Sequence, residues 1–273
     1  MPELPEVETV VNTLKELILG KEISGVKVYW DNIIATPDLE TFKLAVVGQK
    51  IKDISRRGKY ILFHLSSKTL VSHLRMEGKY FVYNEKTAKD KHSHVIFNFS
   101  DKGQLHYHDT RKFGKMYLYD ESEALRILEN VGLEPWDIKL TGAYLEKKAR
   151  NRKISIKQFL LDQSVIAGIG NIYVNEILFI TKIHPAQPVN TISKYKFERI
   201  IDTTKDVLER AIEQGGTTIK SYTSSLGVTG LFQQSLLVHN KAGQACVNCN
   251  STIEKITVAQ RGTYLCPTCQ KLK

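Results

Sequence analysis

Residues 60–74 read YILFHLSSKTLVSHL, and this stretch decides the fold of the first half of the chain. Aromatic and aliphatic residues fill two short runs, 60–65 and 70–74, and the turn residues Ser66 and Ser67 separate them. Short runs of this composition, bounded by turn residues, are typical of neighbouring strands in an antiparallel sheet. The stretch therefore predicts a β-hairpin.

The same pattern recurs on both sides of this hairpin, at residues 23–30, 80–83, 94–99, 105–108 and 115–119. Many short strands at such spacing indicate an antiparallel β-sandwich. Before them, apolar residues repeat at helical spacing over residues 5–19, with a proline near the start and a glycine after the end. We therefore predict an N-terminal β-sandwich that is preceded by one helix.

Beyond residue 122 the pattern changes to helical spacing, which predicts helices over residues 122–130, 142–149, 156–161, 172–181 and 193–214. The fold class is therefore α+β and multidomain. Four segments are expected, in which an N-terminal β-sandwich domain, a linker, a helical domain and a terminal hairpin of cysteines follow one another: 1–131, 132–138, 139–232 and 233–273.

Composition restricts the class of protein. With 42% hydrophobic and 25% charged residues, the 273-residue chain is neither disordered nor collagen-like. Its net charge of +10 favours a polyanionic partner, either nucleic acid or a membrane surface. No stretch approaches the roughly 18 apolar residues of a membrane span, and the acidic, proline-containing start is unlike a signal peptide. We therefore expect a soluble, intracellular protein without a membrane span, and the charge alone does not distinguish between the two kinds of partner.

All four cysteines lie near the end of the chain, in two Cys-X2-Cys pairs with sixteen residues between them: Cys246, Cys249, Cys266 and Cys269. This spacing is typical of a four-cysteine zinc site, and four thiolates leave no open position for a substrate. Two disulfides or free thiols are the alternatives. We expect one structural zinc ion that stiffens a hairpin with strands at 252–258 and 262–265, with Arg261 at its turn.

Pro2 follows the initiator methionine, and removal of Met1 would leave a secondary amine as the chain terminus. A terminal amine has a pKa of about 7.7–8.0, so part of it is neutral at pH 7. A neutral amine can attack an electrophilic carbon and form a covalent iminium, and Glu3 could shuttle protons beside it. A simple helix start is the alternative interpretation of these residues.

Residues 162–173, DQSVIAGIGNIY, separate two predicted helices and resemble the turn of a helix-turn-helix. Asn171 suits the N-cap of the second helix, whose N-terminus would attract phosphate. A run of bases without an acid precedes this block, from Lys147 to Lys157, and its simple interpretation is a solvated helix end and loop.

Together these segments closely resemble the bacterial formamidopyrimidine-DNA glycosylase family. The resemblance runs in order along the chain through residues 2–9, 57–60, 73–78, 109–114, 162–173 and the cysteine segment. The start Pro-Glu-Leu, rather than the Pro-Glu-Gly of the endonuclease VIII branch, favours the branch that acts mainly on 8-oxoguanine opposite cytosine.

The resemblance implies a β-sandwich, a helical domain with a helix-two-turn-helix, and a zinc finger, with double-stranded DNA between the domains. The implied activity is that of a bifunctional glycosylase and abasic-site lyase of base excision repair. It would remove oxidised purines through a Schiff base on the terminal proline, followed by β,δ-elimination. The resemblance also implies one structural zinc, no organic cofactor, no membrane partner, a monomer, and a bacterial cytoplasmic location associated with the nucleoid.

The resemblance also implies residue roles. The catalytic set is Pro2, Glu3, Lys59 and Arg261. Phosphates next to a flipped nucleotide would be held by His73 and Asn171 as well as by Arg261. The space that the nucleotide leaves would be filled by Met76, Arg111 and Phe113, although core packing is the alternative for Met76 and Phe113. The base pocket would comprise Glu6, Glu77, Thr217 and Tyr222.

Three positions depart from the family pattern: Gln260, Asn240 with His239 before it, and Asn175 after Val174. They bear on the fingertip, on phosphate geometry and on lesion preference. Two other functions explain some of the same features, namely an inactive DNA-binding module and a zinc-ribbon protein that binds RNA. The second leaves the N-terminal motif unexplained.

Overall fold

The structure is a computed structural model that describes residues 2–217 and 230–272. The chain divides into two compact units: unit 1 comprises residues 1–129 and 215–230, and unit 2 comprises residues 130–214 and 231–273. The expected α+β class, with antiparallel sheets, a helical region and a four-cysteine hairpin, is confirmed. Over the described residues, no helix has both the length and the apolar composition that crossing a membrane requires.

Within its described residues, unit 1 contains two sheets and three α-helices. The helices are α1 (Leu4–Ile18), α2 (Leu39–Val46) and α3 (Glu121–Leu128). The strands are β1 (Ile23–Val28), β2 (Ile34–Thr36), β3 (Asp53–Arg57), β4 (Tyr60–His64), β5 (Thr69–His73), β6 (Lys79–Tyr83), β7 (Ser93–Phe99), β8 (Gln104–His108) and β9 (Lys115–Tyr119). One sheet has the order β1-β7-β8-β6 and the other β2-β9-β5-β4-β3. All neighbours are antiparallel except β2 and β9.

Both sheets and α1 contribute to one hydrophobic core, which confirms the predicted sandwich and its preceding helix. Phe63 and Leu70 come from the five-stranded sheet, Phe97 and Tyr107 from the four-stranded sheet, and Val7 from α1. The predicted hairpin is present, with Leu62 opposite Val71 in its register. Burial of this shared apolar surface is the main force that holds the two sheets together.

Three elements of unit 1 were not predicted: α2, β2 and β3. In β3, whose sequence is DISRR, only Ile54 is buried, so the strand has no apolar run to reveal it. Pairing with β4 makes it a strand at the edge of the sheet. The short helix α2 begins after Asp38, whose carboxylate accepts a hydrogen bond from the backbone N–H of Thr41 at 3.0 Å.

Unit 2 contains four helices and one hairpin within the described residues: α4 (Gly142–Ala149), α5 (Ile156–Leu161), α6 (Asn171–Ile180), α7 (Lys194–Glu213), β10 (Glu254–Val258) and β11 (Arg261–Leu265). Each lies within two residues of its predicted bounds. In α7 the buried positions, such as Phe197, Ile201 and Leu208, repeat every three or four residues, as expected for a helix with one face in the core.

Three expectations in unit 2 are wrong in detail. Asn171 is the first residue of α6, and the N-cap position is taken by Gly170, which has an extended backbone. The hairpin turn consists of Ala259 and Gln260, both at positive φ, so Arg261 is the first residue of β11. Lys157 is not a solvated base, because it is fully buried in α5.

Candidate functional site

The start of the chain in unit 1 is buried. Pro2 precedes Glu3, the N-cap residue of α1, and Glu3 is only 2% exposed. The backbone N–H of Glu3 donates to Oε2 of Glu6 at 2.8 Å, which completes a capping box at the head of the helix. This cap holds the backbone at residues 3–6 and therefore positions the preceding Pro2.

Glu6 links the helix to a segment that is 211 residues away in sequence. Its Oε1 accepts hydrogen bonds from the backbone N–H of Thr217 at 2.8 Å and from the Thr217 hydroxyl at 2.9 Å. Both residues are buried, at 4% exposure each. Two members of the predicted base pocket, Glu6 and Thr217, are thus brought together. Of the other two members, Glu77 lies in the turn after β5, and Tyr222 lies outside the described residues.

Two glycines allow this close approach. Gly216 has a φ of +77°, and a Cβ there would lie 2.9 Å from Oε1 of Glu6. A Cβ on Gly230 would lie 2.3 Å from the carbonyl oxygen of Gly216. A larger residue at Gly216 would therefore collide with Glu6, and one at Gly230 would collide with the backbone of Gly215 and Gly216.

Lys59 lies in the turn between β3 and β4 and is 5% exposed. Gly58 precedes it at a φ of 56°. The turn is held by Arg56, whose Nε donates to Oε2 of Glu8 at 2.6 Å and whose Nη1 donates to the carbonyl oxygen of Gly58 at 3.1 Å. Arg56 and Glu8 were not predicted as site residues, and only the tertiary structure shows that they hold this turn against α1.

His73, at the end of β5, is buried and uncharged at neutral pH. Burial, together with the positive charges of Arg75 and Lys59, lowers the pKa of His73 to about 3. Its Nδ1 accepts a hydrogen bond from the backbone N–H of Arg75 at 2.9 Å. The proton of the neutral ring is therefore on Nε2, which can donate to an anion.

The loop with Arg111 and Phe113 is built around Asp109, which is fully buried. The Asp109 carboxylate accepts hydrogen bonds from the backbone N–H groups of Arg111, Phe113 and Gly114 at 2.8–3.0 Å. Phe113 remains 50% exposed, and the Arg111 guanidinium lies 4.8 Å from the centre of its ring. Core packing is therefore excluded for Phe113. Aspartate often accepts hydrogen bonds from backbone N–H groups of the residues that follow it, so Asp109 was the signal in the sequence for this loop.

A hydrogen bond connects this loop to the turn that follows β5. The hydroxyl of Thr110 donates to Oε2 of Glu77. Met76 precedes Glu77 in that turn and is half-buried. The structure thus brings the two loops of the predicted insertion set side by side.

In unit 2, β11 is attached to two helices. The side-chain amide of Asn171 donates to the carbonyl oxygen of Gly262 at 3.1 Å. Nζ of Lys157 donates to the same carbonyl at 3.1 Å, to Oγ1 of Thr263 at 2.8 Å and to Oδ1 of Asn175 at 3.0 Å. Arg261 is exposed and adjacent to this junction, so the structure brings Asn171 and Arg261 together.

A buried carboxylate connects α6 to the segment before the hairpin. Glu176 accepts hydrogen bonds from the backbone N–H groups of Leu237, Val238 and His239 at 2.7–3.0 Å. Burial raises the pKa of Glu176, although these three donors oppose the shift. Asn240 has a φ of 60°, a conformation that asparagine tolerates, so this departure from the family pattern fits the local backbone.

The four cysteines form a cluster in which all Sγ atoms lie within 4.8 Å of one another. Cys246 and Cys269 are 4.0 Å apart, and Cys249 and Cys266 are 3.4 Å apart, whereas a disulfide needs about 2.05 Å. Tetrahedral coordination with metal–sulfur bonds of about 2.3 Å places sulfurs about 3.8 Å apart. The donor set and its spacing therefore fit a metal ion.

Family models match three parts of the chain. The formamidopyrimidine-DNA glycosylase N-terminal domain matches residues 1–116, the H2TH domain of the same glycosylase matches residues 131–223, and a zinc finger found in FPG and IleRS matches residues 243–272. The chain belongs to the formamidopyrimidine-DNA glycosylase family. The sequence-based identification is therefore confirmed.

Relatives with this name cover the chain from end to end. Those from Brevibacillus brevis and Streptococcus pneumoniae are each 46% identical, over 99% of both chains. Among solved structures, Lactococcus lactis Fpg in complex with an abasic site containing DNA is 39% identical over 98% of this chain and 99% of that chain, with a TM-score of 0.92. The MutM complex with carbocyclic 8-oxo-G containing DNA has the same TM-score at 38% identity, over 99% of this chain and 100% of that chain.

Proposed function

We propose that the protein is a bifunctional DNA glycosylase and abasic-site lyase that removes 8-oxoguanine and formamidopyrimidines in base excision repair. Family membership supports the glycosylase, and Fpg relatives are found in complexes with Fapy-dG and abasic-site DNA. The observation that carries the proposal is the start of the chain, where Pro2 precedes a buried cap formed by Glu3 and Glu6. A nucleophile needs a rigid position of this kind.

In the proposed reaction the Pro2 nitrogen attacks C1′ of the damaged nucleotide. The new C–N bond forms, the damaged base leaves with its bonding electron pair and takes up the proton that the Pro2 nitrogen loses, and the sugar ring opens as Glu3 delivers a proton to the ring oxygen. The resulting iminium accepts electrons, so loss of a C2′ proton expels the 3′ phosphate, and a second elimination expels the 5′ phosphate. Hydrolysis of the iminium then returns the free amine.

Binding residues are proposed from the same geometry. The Nε2–H of neutral His73, the Lys59 ammonium, Asn171 and the exposed Arg261 would contact phosphates, because each offers a donor to an anion. Met76, Arg111 and Phe113 would fill the space left by the flipped nucleotide, and exposed Phe113 suits a wedge between bases. Glu77 and Thr217 would lie at the flipped base, although both donors of Thr217 are bound to Glu6 here.

We further propose that the four cysteines hold one structural zinc ion and that no organic cofactor takes part. Coordination by four thiolates closes the metal to substrate, so its role is to stabilise the hairpin that contains Arg261. We also propose that the protein is a monomer in the bacterial cytoplasm. The four-segment division at 1–131, 132–138, 139–232 and 233–273 remains a prediction.

Covalent trapping tests the proposal. The chain is produced with an N-terminal extension that a protease removes to leave Pro2 as the first residue. Borohydride should trap a complex with 8-oxoguanine duplex only after cleavage, because only then is the Pro2 amine free. Pro2→Gly should lose most of the trapped product. The uncleaved protein is the matched control, and equal trapping before and after cleavage would assign the nucleophile elsewhere. Duplex binding without any adduct would support the inactive DNA-binding module.

A further inference from the structure

A small basic cavity lies in unit 2 at the end of α6 that is opposite Asn171. Thr181 and Lys182 follow directly after Ile180, so the ten-residue helix places the cavity about 15 Å from its first residue. Its volume is about 180 Å³. The lining residues are Thr181, Lys182, Ile183, Gln187, Lys196, Arg199 and Lys271. None of them belongs to the site proposed above.

Cations from three segments converge on this cavity. Lys182 follows α6, Lys196 and Arg199 lie one turn apart on α7, and Lys271 lies near the end of the chain. In the part of the chain that the structure describes, none of these four side chains forms an ion pair. Four like charges around one cavity produce a strong positive potential.

Acidic residues are scarce around the same segments. The sequence contains no aspartate or glutamate in residues 177–197 or 255–273. Glu198 lies between Lys196 and Arg199, and its Oε1 accepts a hydrogen bond from the backbone N–H of Gly142 in α4 at 2.8 Å. The Glu198 carboxylate is therefore directed to α4 instead of the cavity.

The base of the cavity is well anchored. Gln270 is fully buried, and its Nε2 donates to the carbonyl oxygen of Ile183 at 2.9 Å, which fixes the segment that contains Lys271. Gln187 is 3% exposed and donates to Oγ1 of Thr191 at 3.1 Å. The cations therefore extend from a rigid base into a concave space.

We propose that this cavity binds a phosphate group, and that its natural source is the backbone of DNA bound beyond the proposed catalytic site. Lysine and arginine are the usual partners of backbone phosphates, and a concave basic site concentrates them. The contact would add sequence-independent affinity for undamaged DNA. Because it requires no excision chemistry, it stands or falls separately from the proposed glycosylase activity.

Salt-dependent binding tests this inference. Affinity for an undamaged 30-base-pair duplex is measured across a salt series for the unaltered protein and for Lys196→Gln/Lys271→Gln. The slope of log K against log salt should fall by about 1, since each neutralised phosphate contributes about 0.9. The control Lys86→Gln/Lys91→Gln removes two exposed lysines of unit 1 and should leave the slope unchanged. Equal slopes for both double variants would overturn the inference.

Two further arms identify the source of the phosphate and separate the inference from the enzyme. In the first arm, the ³¹P signal of inorganic phosphate is measured with the unaltered protein and with Lys196→Gln/Lys271→Gln. If only the unaltered protein broadens this signal while the duplex slope is the same for both proteins, the cavity binds free phosphate and the DNA source is overturned. In the second arm, Lys196→Gln/Lys271→Gln should excise 8-oxoguanine from a 12-base-pair duplex as fast as the unaltered protein does. Loss of excision there would place the cavity in the catalytic site and overturn the inference.

Discussion

In each unit a buried charged side chain near the start of a helix binds a segment that is distant in sequence. In unit 1, Glu6 of α1 accepts hydrogen bonds from Thr217. In unit 2, Lys157 of α5 donates to Gly262 and Thr263 of the hairpin. Both contacts attach a segment that the proposed function places at the DNA, but their electrostatic settings are opposite.

The start of a helix favours a carboxylate and disfavours an ammonium, because the backbone dipole is positive there. Glu6 is therefore supported by its position in the first turn of α1, in addition to its hydrogen-bond donors. Lys157 is the second residue of α5 and depends on the acceptors that surround it. Glu6 is therefore stabilised both by its helix and by its partners, whereas Lys157 is stabilised by its partners alone.

Metal removal should have the largest effect, and it tests whether the hairpin can persist on the Lys157 contacts alone. We expect one zinc ion per chain by atomic emission. Chelation should abolish hydrogen-exchange protection of β10 and β11, because structural zinc contributes about 10–16 kcal/mol in small finger domains. Protection of β4 and β5 in unit 1 is the internal control. A hairpin that stays protected without metal would contradict the prediction.

Lys157→Met should destabilise unit 2 by about 3–5 kcal/mol, because it removes the charged donor of three hydrogen bonds, each worth about 1.5–3 kcal/mol. The free energy of unfolding in urea measures the loss. Lys153→Met makes the same chemical change at an exposed position four residues earlier and should shift that free energy by less than about 0.5 kcal/mol. Similar losses in the two variants would show that burial of Lys157 is not what matters.

Glu6→Gln should lower the free energy of unfolding by a smaller amount, about 1–3 kcal/mol. The Glu6 carboxylate accepts hydrogen bonds from three donors, and the NH2 group of a glutamine amide must face at least one of them. Hydrogen exchange at the Thr217 amide should accelerate correspondingly. Glu16→Gln, an exposed position on the same helix, is the matched control. Unchanged exchange at Thr217 would indicate that another contact holds this segment.

The smallest effects are expected in the titration of His73 in unit 1 and His239 in unit 2. Their pKa values show whether the charges in one unit affect the other. Burial and Lys157 lower the pKa of His239 to about 4, and burial with Arg75 and Lys59 lowers that of His73 to about 3. Lys157→Met should raise the pKa of His239 only, and Lys59→Met should raise that of His73 only, as measured by NMR. A shift of both rings in either variant would contradict independence.

The same values determine the sign of the pH dependence. Both folded pKa values lie below the ordinary histidine value of about 6.5, so folding favours the neutral rings. This stability is present above about pH 6.5 and is lost as the pH falls toward the folded values, because the unfolded chain binds the protons first. His73→Gln should therefore reduce the acid dependence of the free energy of unfolding between about pH 6 and pH 4.

Local patterns predicted much of the fold. Seven strands of the sandwich, all except β2 and β3, contain aromatic or β-branched runs, and α7 repeats its apolar residues at helical spacing, so these elements were predicted within two residues of their bounds. The element β3 was missed because four of its five residues are polar or charged and its pairing with β4 creates it. Asn171 was predicted as an N-cap, but Gly170 occupies that position and frees the Asn171 amide for Gly262.

The cysteine cluster, most of the helices and strands, and the family to which the chain belongs could be predicted from the sequence. These are encoded by spacing between near neighbours or by ordered motifs, which exist before the chain folds. Only the tertiary structure decided which polar groups are buried and what they bind: Glu6 with Thr217, Lys157 with β11, Asp109 within its loop, and four cations around one cavity. The physical reason is that desolvation and hydrogen bonding depend on residues far apart in sequence, which become neighbours only when the core forms.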